Sequence, residues 1–294
     1  MLSISNLDDR SITFPVVSKV LPGGEVHPSI DPVIAKWYGV ILTAHLRNSV
    51  DIMELLTVTD AIRRLNPALK IHLWMPYLPY ARQDRVPNRG ESLTIKVFCD
   101  LINSQRYDIV TVLDAHSEVG VALLDRVRHY TLPQAAAYCM SKRNWNRTVL
   151  VAPDAGAMKK TLELANLVGC PRVVCAFKDR DTVTGKITAT RVDMTFTPTL
   201  DQDWLVVDDI CDGGYTFIEL AKVLRTMFDE HGLTNRLELW VSHGLFTKGY
   251  DVLKEHYARI ETTNSWNALG SYNTQPDGTH DAAIYWHPVQ GIFA

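Results

Sequence analysis

The sequence predicts an α/β protein made of two similar domains in tandem, each a mainly parallel sheet flanked by helices. Short β-branched and apolar runs, each long enough for one buried strand, alternate with stretches whose apolar residues recur at helical spacing. This alternation is typical of a parallel sheet covered by helices. It runs twice along the chain and is interrupted near residues 130–133. We therefore expect domains at 1–132 and 133–264, followed by a divergent tail at 265–294.

The individual elements follow from the same two periodicities. The predicted strands are 40–43, 71–75, 109–113, 149–152, 173–177, 205–207 and 237–241, with a further candidate at 282–286 in the tail. The predicted helices are 49–65, 93–103, 133–141, 155–167, 216–230 and 248–256. The segment 21–25, Leu-Pro-Gly-Gly-Glu, is predicted to be a turn.

Bulk properties exclude several classes of protein. The chain has 294 residues, 46% hydrophobic content and a formal net charge of -3, so we expect no general attraction to nucleic acid or anionic membranes. No apolar run approaches the ~18 residues of a membrane span, and no secretory signal is predicted at the N-terminus. The five cysteines form no CxxC pair, which favours reduced thiols and a cytoplasmic protein.

The most informative stretch is 205–216, LVVDDICDGGYT. An apolar run is followed by the carboxylates Asp208 and Asp209, then by a polar loop with Gly213 and Gly214, and then by a helical pattern. Free N–H groups and the dipole of a helix N-terminus favour a phosphate, and carboxylates accept hydrogen bonds from vicinal hydroxyls. The stretch therefore predicts a site for a phosphorylated sugar, although Asp and Gly also occur in ordinary strand-to-helix turns.

Four further segments with polar or charged residues follow predicted strands. In an open parallel sheet, sites gather at the carboxyl ends of the strands, so we expect these segments to serve function. Arginine forks suit phosphate oxygens, and Asp or His at a strand end suits a metal. The candidates are Arg82, Gln83, Asp84 and Arg85; Asp114 and His116; Asp154; and Lys178 with Arg180. As alternatives, Asp154 is a plain helix cap, His116 a hydrogen-bonding residue, and Lys178 and Arg180 surface charges.

Together these stretches resemble the PRPP synthetase (ribose-phosphate diphosphokinase) family from about residue 23 to residue 264. The resemblance rests on six motifs in the family's order: Pro76–Arg85, Asp114 with His116, Pro153–Gly156, Lys178 with Arg180, Val206–Thr216 and Ser242–Phe246. It implies two phosphoribosyltransferase-type (type I) domains, an oligomer built from dimers, and Mg²⁺-dependent transfer of the diphosphate of ATP to the C1 hydroxyl of a ribose 5-phosphate moiety. Small-molecule substrates are implied, with no nucleic acid or membrane partner.

The resemblance also implies roles for individual residues. The family's ATP-binding positions fall on Glu25, Arg82, Gln83, Asp84 and His116. The magnesium site falls on His116 and Asp154, and the mobile catalytic arm on Lys178 and Arg180. The ribose-phosphate loop comprises Asp208, Asp209, Asp212, Gly213, Gly214, Tyr215 and Thr216.

The chain departs from the family pattern in ways that bear on its substrate. The family's Phe-Ser-Asp-Gly-Glu is Leu21-Pro22-Gly23-Gly24-Glu25 here, so an aromatic ring and a carboxylate are lost. The family's Asp-Thr-Gly-Gly-Thr has become Asp212-Gly213-Gly214-Tyr215-Thr216. These changes suggest ADP-ribose as the acceptor, giving ADP-ribose diphosphate in NAD⁺ rebuilding, with Tyr215 stacking on the extra group.

Three alternatives stay open at this point. The first is ordinary PRPP synthesis from ribose 5-phosphate, nearly as well supported as use of ADP-ribose. The second is a non-catalytic regulatory protein associated with PRPP synthetase, for which a damaged catalytic arm would be expected. The third is a base-transferring phosphoribosyltransferase, which would not need the segment around Arg82 or two domains.

Overall fold

The computed structural model describes residues 1–180, 187–193, 196–267 and 283–293, with the backbone alone at 178–180, 187–191 and 193. These residues fall into two compact units. Unit 1 contains residues 1–130 with 265–267 and 293, and unit 2 contains residues 131–264 with 283–292. Both are layered α/β structures with a central, mostly parallel sheet.

Unit 1 is built on a six-stranded sheet with the order β2-β1-β5-β6-β7-β8. Strands β5 to β8 run parallel, whereas β1 and β2 pair antiparallel at one edge. A separate antiparallel hairpin, β3–β4, carries the segment 21–25 at its tip. The strands are β1 Leu2–Asn6, β2 Thr13–Pro15, β3 Val17–Val20, β4 Val26–Ser29, β5 Gly39–Ala44, β6 Lys70–Met75, β7 Ile109–Leu113 and β8 Val127–Tyr130.

The helices of unit 1 are α1 Ser49–Leu65, α2 Thr94–Ser104 and α3 Glu118–Leu123. Helices α1 and α2 each bury an apolar stripe, whereas the buried residue of α3 is Gly120. Helix α1 begins where the side chain of Asn48 accepts hydrogen bonds from the N–H groups of Val50 and Asp51. Its residues Leu55 and Val58 lie in the same buried cluster as the strand residues of the sheet. The apolar face, rather than propensity alone, thus holds the helix in place.

Unit 2 is built on a seven-stranded sheet with the order β11-β10-β9-β12-β13-β14-β15, in which the β10–β11 pair alone is antiparallel among the described strands. Its strands are β9 Thr148–Ala152, β10 Arg172–Arg180, β11 Ile187–Asp193, β12 Asp203–Cys211, β13 Arg236–Gly244, β14 Arg259–Thr263 and β15 Ile284–His287. Its helices are α4 Leu132–Cys139, α5 Ala155–Val168, α6 Tyr215–Glu230, α7 Asp251–Lys254 and α8 Val289–Ile292. The apolar face of α6 packs on this sheet.

The predicted alternation of strands and helices is confirmed, and every predicted strand and helix overlaps an observed one. Among the strands that were not predicted, β2 and β3 are short and largely exposed, so they lack a buried apolar run. The predicted helix 248–256 is reduced to Asp251–Lys254, because Gly249 adopts a left-handed backbone that a helix cannot include.

The strand ending in the acidic pair is longer than predicted. Instead of ending at Val207, β12 continues to Cys211, so Asp208 and Asp209 lie inside a strand rather than in the loop after it. The extension is stabilised by β13, which pairs with β12 from Asp203 opposite Arg236 to Cys211 opposite Gly244. Both carboxylates are half-buried. Because Asp is uncommon in strands, the sequence pattern predicted too short a strand here.

The C-terminal tail is divided between the two units. Strand β15 adds to the edge of β14, which agrees with the strand predicted at 282–286 within the part that is described. Phe293 packs in unit 1 against Trp74, with ring centroids 5.3 Å apart, and against Tyr130 at 5.2 Å. Trp266 contacts Tyr77 edge-to-face at 5.1 Å. The tail therefore contributes aromatic side chains to the core.

We predict that Leu224→Ala lowers the free energy of unfolding by about 2–5 kcal/mol, because Leu224 is fully buried in the core of unit 2 and its removal leaves a cavity. The matched control is Leu162→Ala on α5, where the side chain is 42% exposed and a loss of roughly 0.5 kcal/mol or less is expected. Denaturant unfolding of the whole chain provides the measurement. Equal losses in the two variants would contradict the assigned packing of α6.

Candidate functional site

The loop after β12 is held against the loop after β13. The carbonyl oxygen of Cys211 accepts hydrogen bonds from the N–H groups of Leu245 and Phe246. Thr247 donates its N–H to the carbonyl oxygen of Asp212 at 3.1 Å and its hydroxyl to the Asp212 carboxylate at 2.7 Å. The two adjacent parallel strands thus deliver their loops to one edge of the sheet, as expected for a binding site in this type of fold.

Gly214 is required by the shape of this loop. Gly214 has a left-handed backbone, with φ of 81°, and a Cβ atom added there would lie 3.2 Å from Leu253. A Cβ at Gly213 would lie 3.5 Å from the side chain of Lys248. Gly214 is also the N-cap of α6, and no described side chain caps this helix. The first N–H groups of α6 can therefore bind an anion, with Lys248 beside the loop.

The two carboxylates of the acidic pair have different surroundings. Asp209 forms an ion pair with Lys160 of α5, with 3.2 Å between Nζ and Oδ2. Asp208 accepts a hydrogen bond at 2.9 Å from the backbone N–H of Asp209. Lys160 was not selected as a site residue from the sequence. Its neighbour Lys159 lies on the same helix but is exposed and pairs with Glu163. The sequence alone does not distinguish these two adjacent lysines.

The turn at Asp154 is a helix N-terminus. The side chain of Asp154 caps α5 by accepting a hydrogen bond from the N–H of Ala157 at 3.1 Å. Of the two alternatives considered for this residue, the cap is therefore present in the structure. Ala155 and Gly156 are exposed, which leaves the backbone of this turn accessible to an anion. The role of Asp154 at a metal ion stays a prediction.

Unit 1 has strained backbone at the carboxyl ends of β6 and β7. Tyr80, Asp114 and His116 all adopt left-handed conformations, with φ of 62°, 36° and 57°. Hydrogen bonds hold this geometry: Asp114 N–H donates to the carbonyl oxygen of Tyr130 at 2.7 Å, and Gln83 N–H donates to that of Tyr80 at 2.9 Å. Non-glycine residues in this region are uncommon and cluster at functional sites. The strain therefore supports a functional role for the segments 76–85 and 114–116, which were selected from the sequence.

The predicted Arg82 segment lines a concave surface of about 440 Å³. Its residues are Arg82, Gln83, Arg85, Pro87, Glu91, Ser92 and Thr94. Thr94 is the first residue of α2, whose N-terminus no described side chain caps. Two arginines beside an uncapped helix N-terminus suit a polyphosphate. Asp84 is half-buried, and neither Asp84 nor His116 lines this surface among the described residues.

The structure gives less detail for Glu25 and for the pair Lys178 and Arg180. Glu25 is exposed at the tip of the β3–β4 hairpin, where its carbonyl oxygen accepts the N–H of Leu21 at 2.8 Å. The turn predicted at 21–25 is thus present, and a role of Glu25 at ATP stays a prediction. Lys178 and Arg180 belong by their backbone to the end of β10, and their side chains lie outside the described residues.

The described residues contain no group of three or more His, Cys, Asp or Glu that could hold a metal on its own. The roles of His116 and Asp154 at a metal ion stay predictions. No described helix is long and apolar enough to cross a lipid bilayer.

Comparisons with known proteins show which proteins this chain is similar to. Residues 16–105 match the family model of the N-terminal domain of ribose phosphate pyrophosphokinase. The chain is 28% identical to a ribose-phosphate pyrophosphokinase of Aquifex aeolicus (strain VF5) over 76% of this chain and 70% of that protein. It is 26% identical to one of Aeropyrum pernix over 85% of this chain and 79% of that protein.

A solved structure also resembles this fold. The crystal structure of phosphoribosylpyrophosphate synthetase from Mycobacterium smegmatis superimposes with a TM-score of 0.75 and 19% sequence identity, covering 95% of this chain and 87% of that one. At this identity the likeness concerns the fold alone. It confirms the predicted α/β class of fold, with mostly parallel sheets flanked by helices.

Cys211, the last residue of β12, is not expected to react as a nucleophile. Burial raises the pKa of the Cys211 thiol to about 12, and nearby Asp208 and Asp212 add to the shift. Since only the thiolate is reactive, we predict that Cys211 resists iodoacetamide at pH 8 in the folded protein and reacts after denaturation. Peptide mass spectrometry measures the labelling. Rapid labelling of folded protein at Cys211 would contradict this environment.

Proposed function

We propose that the chain is a member of the ribose-phosphate pyrophosphokinase family and that it transfers the diphosphate of ATP to a ribose 5-phosphate moiety, releasing AMP. The single observation that carries this proposal is the edge of unit 2 at which an acidic pair, a glycine loop and an uncapped helix N-terminus meet. This edge offers carboxylates for the hydroxyls of a sugar and N–H groups for its phosphate.

The proposed reaction is an in-line displacement at phosphorus. The C1 hydroxyl oxygen of the acceptor forms a bond to the β-phosphorus of ATP, the bond from that phosphorus to the α,β-bridging oxygen breaks, and AMP leaves. The hydroxyl proton passes to solvent, since no described residue stands out as a general base. Such a reaction depends on positioning and on neutralising charge that spreads over the phosphoryl oxygens.

The proposed roles follow from the chemistry of the side chains. Arg82, Gln83 and Asp84 bind ATP, together with His116 and Glu25. Lys178 and Arg180 offset the charge that develops on the transferred diphosphate. Asp208 and Asp209 accept hydrogen bonds from the sugar hydroxyls. The segment Asp212, Gly213, Gly214, Tyr215 and Thr216 holds the phosphate of the acceptor.

Magnesium is the cofactor we propose for this site. His116 and Asp154 would hold it, directly or through water, and bound Mg²⁺ would neutralise phosphate charge. The proposed partners are the small-molecule substrates and further copies of the chain in a homodimer or larger homo-oligomer, in the cytoplasm.

The acceptor is ribose 5-phosphate or a derivative that carries a group on its phosphate. The names of the relatives support ribose 5-phosphate. One observation favours ADP-ribose as a second candidate: Tyr215, the first residue of α6, is 65% exposed beside the glycine loop. An exposed aromatic ring in that position can stack on an adenosine attached to the acceptor phosphate.

The product identifies the acceptor. We expect purified protein with ATP and Mg²⁺ to form AMP and an acceptor heavier by one diphosphate, as measured by mass spectrometry with ribose 5-phosphate and ADP-ribose in separate reactions. A gain on ribose 5-phosphate alone identifies PRPP synthesis, and a preferential gain on ADP-ribose identifies the second candidate. If neither acceptor reacts, the proposed transfer is wrong and the non-catalytic alternative is favoured.

Variants of Tyr215 test the stacking contact. If the ring binds the added adenosine, Tyr215→Gly should raise the KM for ADP-ribose about tenfold, as expected for loss of roughly 1–2 kcal/mol of aromatic contact, and leave the KM for ribose 5-phosphate unchanged. Tyr215→Phe keeps the ring and serves as the matched control. If the KM values for both acceptors change equally, Tyr215 maintains the conformation of the loop and does not select the acceptor.

Variants of Lys160 and Lys159 test how much the ion pair between Lys160 and Asp209 contributes to acceptor binding. We predict that Lys160→Met raises the KM for the acceptor at least tenfold, because Asp209 loses the cation that orients it, while the KM for ATP changes little. Lys160→Arg should restore most of the affinity. Lys159→Met, at an 83% exposed neighbouring side chain, is the control and should change neither constant.

A further inference from the structure

The loop after β13 places a lysine across the glycine loop. Lys248 lies in the turn that follows β13, and its side chain runs along Gly213. A Cβ atom added at Gly213 would lie 3.5 Å from Cδ of Lys248, 3.6 Å from Cε and 3.8 Å from Cγ. Three consecutive carbons of the lysine therefore pass over the backbone of Gly213, and the ammonium group lies at the edge of the loop.

The backbone of Gly213 does not itself require glycine. Unlike Gly214, this residue lies outside the left-handed region, so a residue with a side chain could adopt its conformation. A methyl group at Gly213 would make an ordinary contact with the stem of Lys248, whereas a larger side chain would occupy the space of that stem. The missing side chain at Gly213 therefore leaves room for Lys248.

The turn that carries Lys248 is anchored where it begins, at Phe246. The carbonyl oxygen of Phe246 accepts a hydrogen bond from the N–H of Gly249 at 2.8 Å, which closes the turn. Phe246 has a left-handed backbone with φ of 45°, which is uncommon for a bulky residue. Its buried ring packs edge-to-face against Tyr250 and Trp286, with ring centroids 5.9 Å and 5.8 Å apart. This packing offsets the backbone strain and fixes the start of the turn.

Thr247, the residue before Lys248, joins this turn to the glycine loop. Its N–H donates to the carbonyl oxygen of Asp212, and its hydroxyl donates to the Asp212 carboxylate. Asp212 directly precedes Gly213, so two consecutive residues of one loop contact two consecutive residues of the other. The position of Lys248 relative to Gly213 is therefore set before a ligand binds, which lowers the entropy that binding costs.

The charge of Lys248 is not committed to a carboxylate. Among the residues that the structure describes, Lys248 forms no ion pair or hydrogen bond. The lysines of the neighbouring helices α5, α6 and α7 each have a carboxylate partner. These pairs are Lys159 with Glu163, Lys160 with Asp209, Lys222 with Glu219 and Lys254 with Asp251. The glycine loop is thus flanked by one lysine whose ammonium group is available to a ligand.

We infer that Lys248 is a specificity-determining residue of the acceptor site and neutralises the second negative charge at the phosphate end of the acceptor. This inference rests on the proposed function, which assigns the acceptor phosphate to the glycine loop. The N-terminus of α6 supplies a partial charge of only about +0.5, whereas a phosphate monoester carries about −1.5 to −2 at pH 7. The charge that the helix does not offset requires a cation, and Lys248 is placed to supply it.

The second charge has two sources among the acceptors considered. In ribose 5-phosphate it comes from the second ionisation of the monoester. In ADP-ribose it comes from the second phosphate of the diphosphate. Both acceptors present two negative charges at the same end of the sugar, so the chemistry that Lys248 recognises is shared, and the source is found by measuring both.

Steady-state kinetics of Lys248 variants test this role. Lys248→Met keeps a stem of similar length without the charge, and should raise the KM for the acceptor about tenfold, because a hydrogen bond between charged groups is lost. The kcat and the KM for ATP should change little. Lys248→Arg keeps the charge and should restore most of the affinity. Lys222→Met, at an exposed lysine of α6 that pairs with Glu219, is the matched control and should change no constant.

Ribose 5-phosphate and ADP-ribose are measured in separate reactions. A higher KM for ribose 5-phosphate alone in Lys248→Met identifies the monoester as the source of the second charge, and a higher KM for ADP-ribose alone identifies the second phosphate. A higher KM for both shows that Lys248 contacts the phosphate they share. Unchanged KM values for both acceptors would overturn the inference, whereas wild-type protein that reacts with neither acceptor would overturn the proposed function on which it rests.

A double-mutant cycle tests the contact between the two loops separately. Gly213→Val should raise the KM for the acceptor about tenfold, because the added side chain displaces the stem of Lys248. In protein that already carries Lys248→Ala, the same substitution should raise it only about twofold, since no stem remains to be displaced. Gly213→Ala, whose methyl group makes an ordinary contact, is the matched control and should change it little. Equal effects of Gly213→Val in the two backgrounds would overturn the inference.

Discussion

The parallel ladder between β12 and β13 is the constraint on which the rest of unit 2 depends. It runs from Asp203 opposite Arg236 to Cys211 opposite Gly244, and its inner residues, such as Val206 and Leu239, are fully buried. Because parallel strands end at the same edge of a sheet, this ladder brings the loops after Cys211 and Gly244 together. The hydrogen bonds of Thr247 to Asp212 then fix the shape of the glycine loop.

Charge in unit 2 is organised by the same strands, in a different way at each end. At the carboxyl end, Lys160 of α5 pairs with Asp209, and Asp208 lies next to it in the same strand. At the amino end, the buried glutamates Glu238 and Glu261 each contact arginines. Both arrangements keep ionised groups in half-buried or buried positions only because each has a partner of opposite sign.

Backbone strain marks the corresponding edge of unit 1. Tyr80, Asp114 and His116 each occupy a left-handed conformation that costs of order 1–3 kcal/mol, and the surrounding hydrogen bonds and aromatic packing maintain it. Tyr77, in the same segment as Tyr80, packs against Trp266 from the tail. The sequence offers no direct sign of this contact, because it joins residues far apart in the chain.

The sequence by itself determined the class of fold, the position of most central strands and the residues of the glycine loop. These features depend on local periodicity, on the need for glycine at a left-handed position such as Gly214, and on charged residues placed directly after apolar runs. Tertiary structure decided the rest. Strand pairing extended β12 through Asp208 and Asp209, helix packing selected Lys160 rather than Lys159 as the partner of Asp209, and the pairing of β12 with β13 brought the loops after them together. Each of these depends on which residues of distant segments meet, and local sequence carries no information about that.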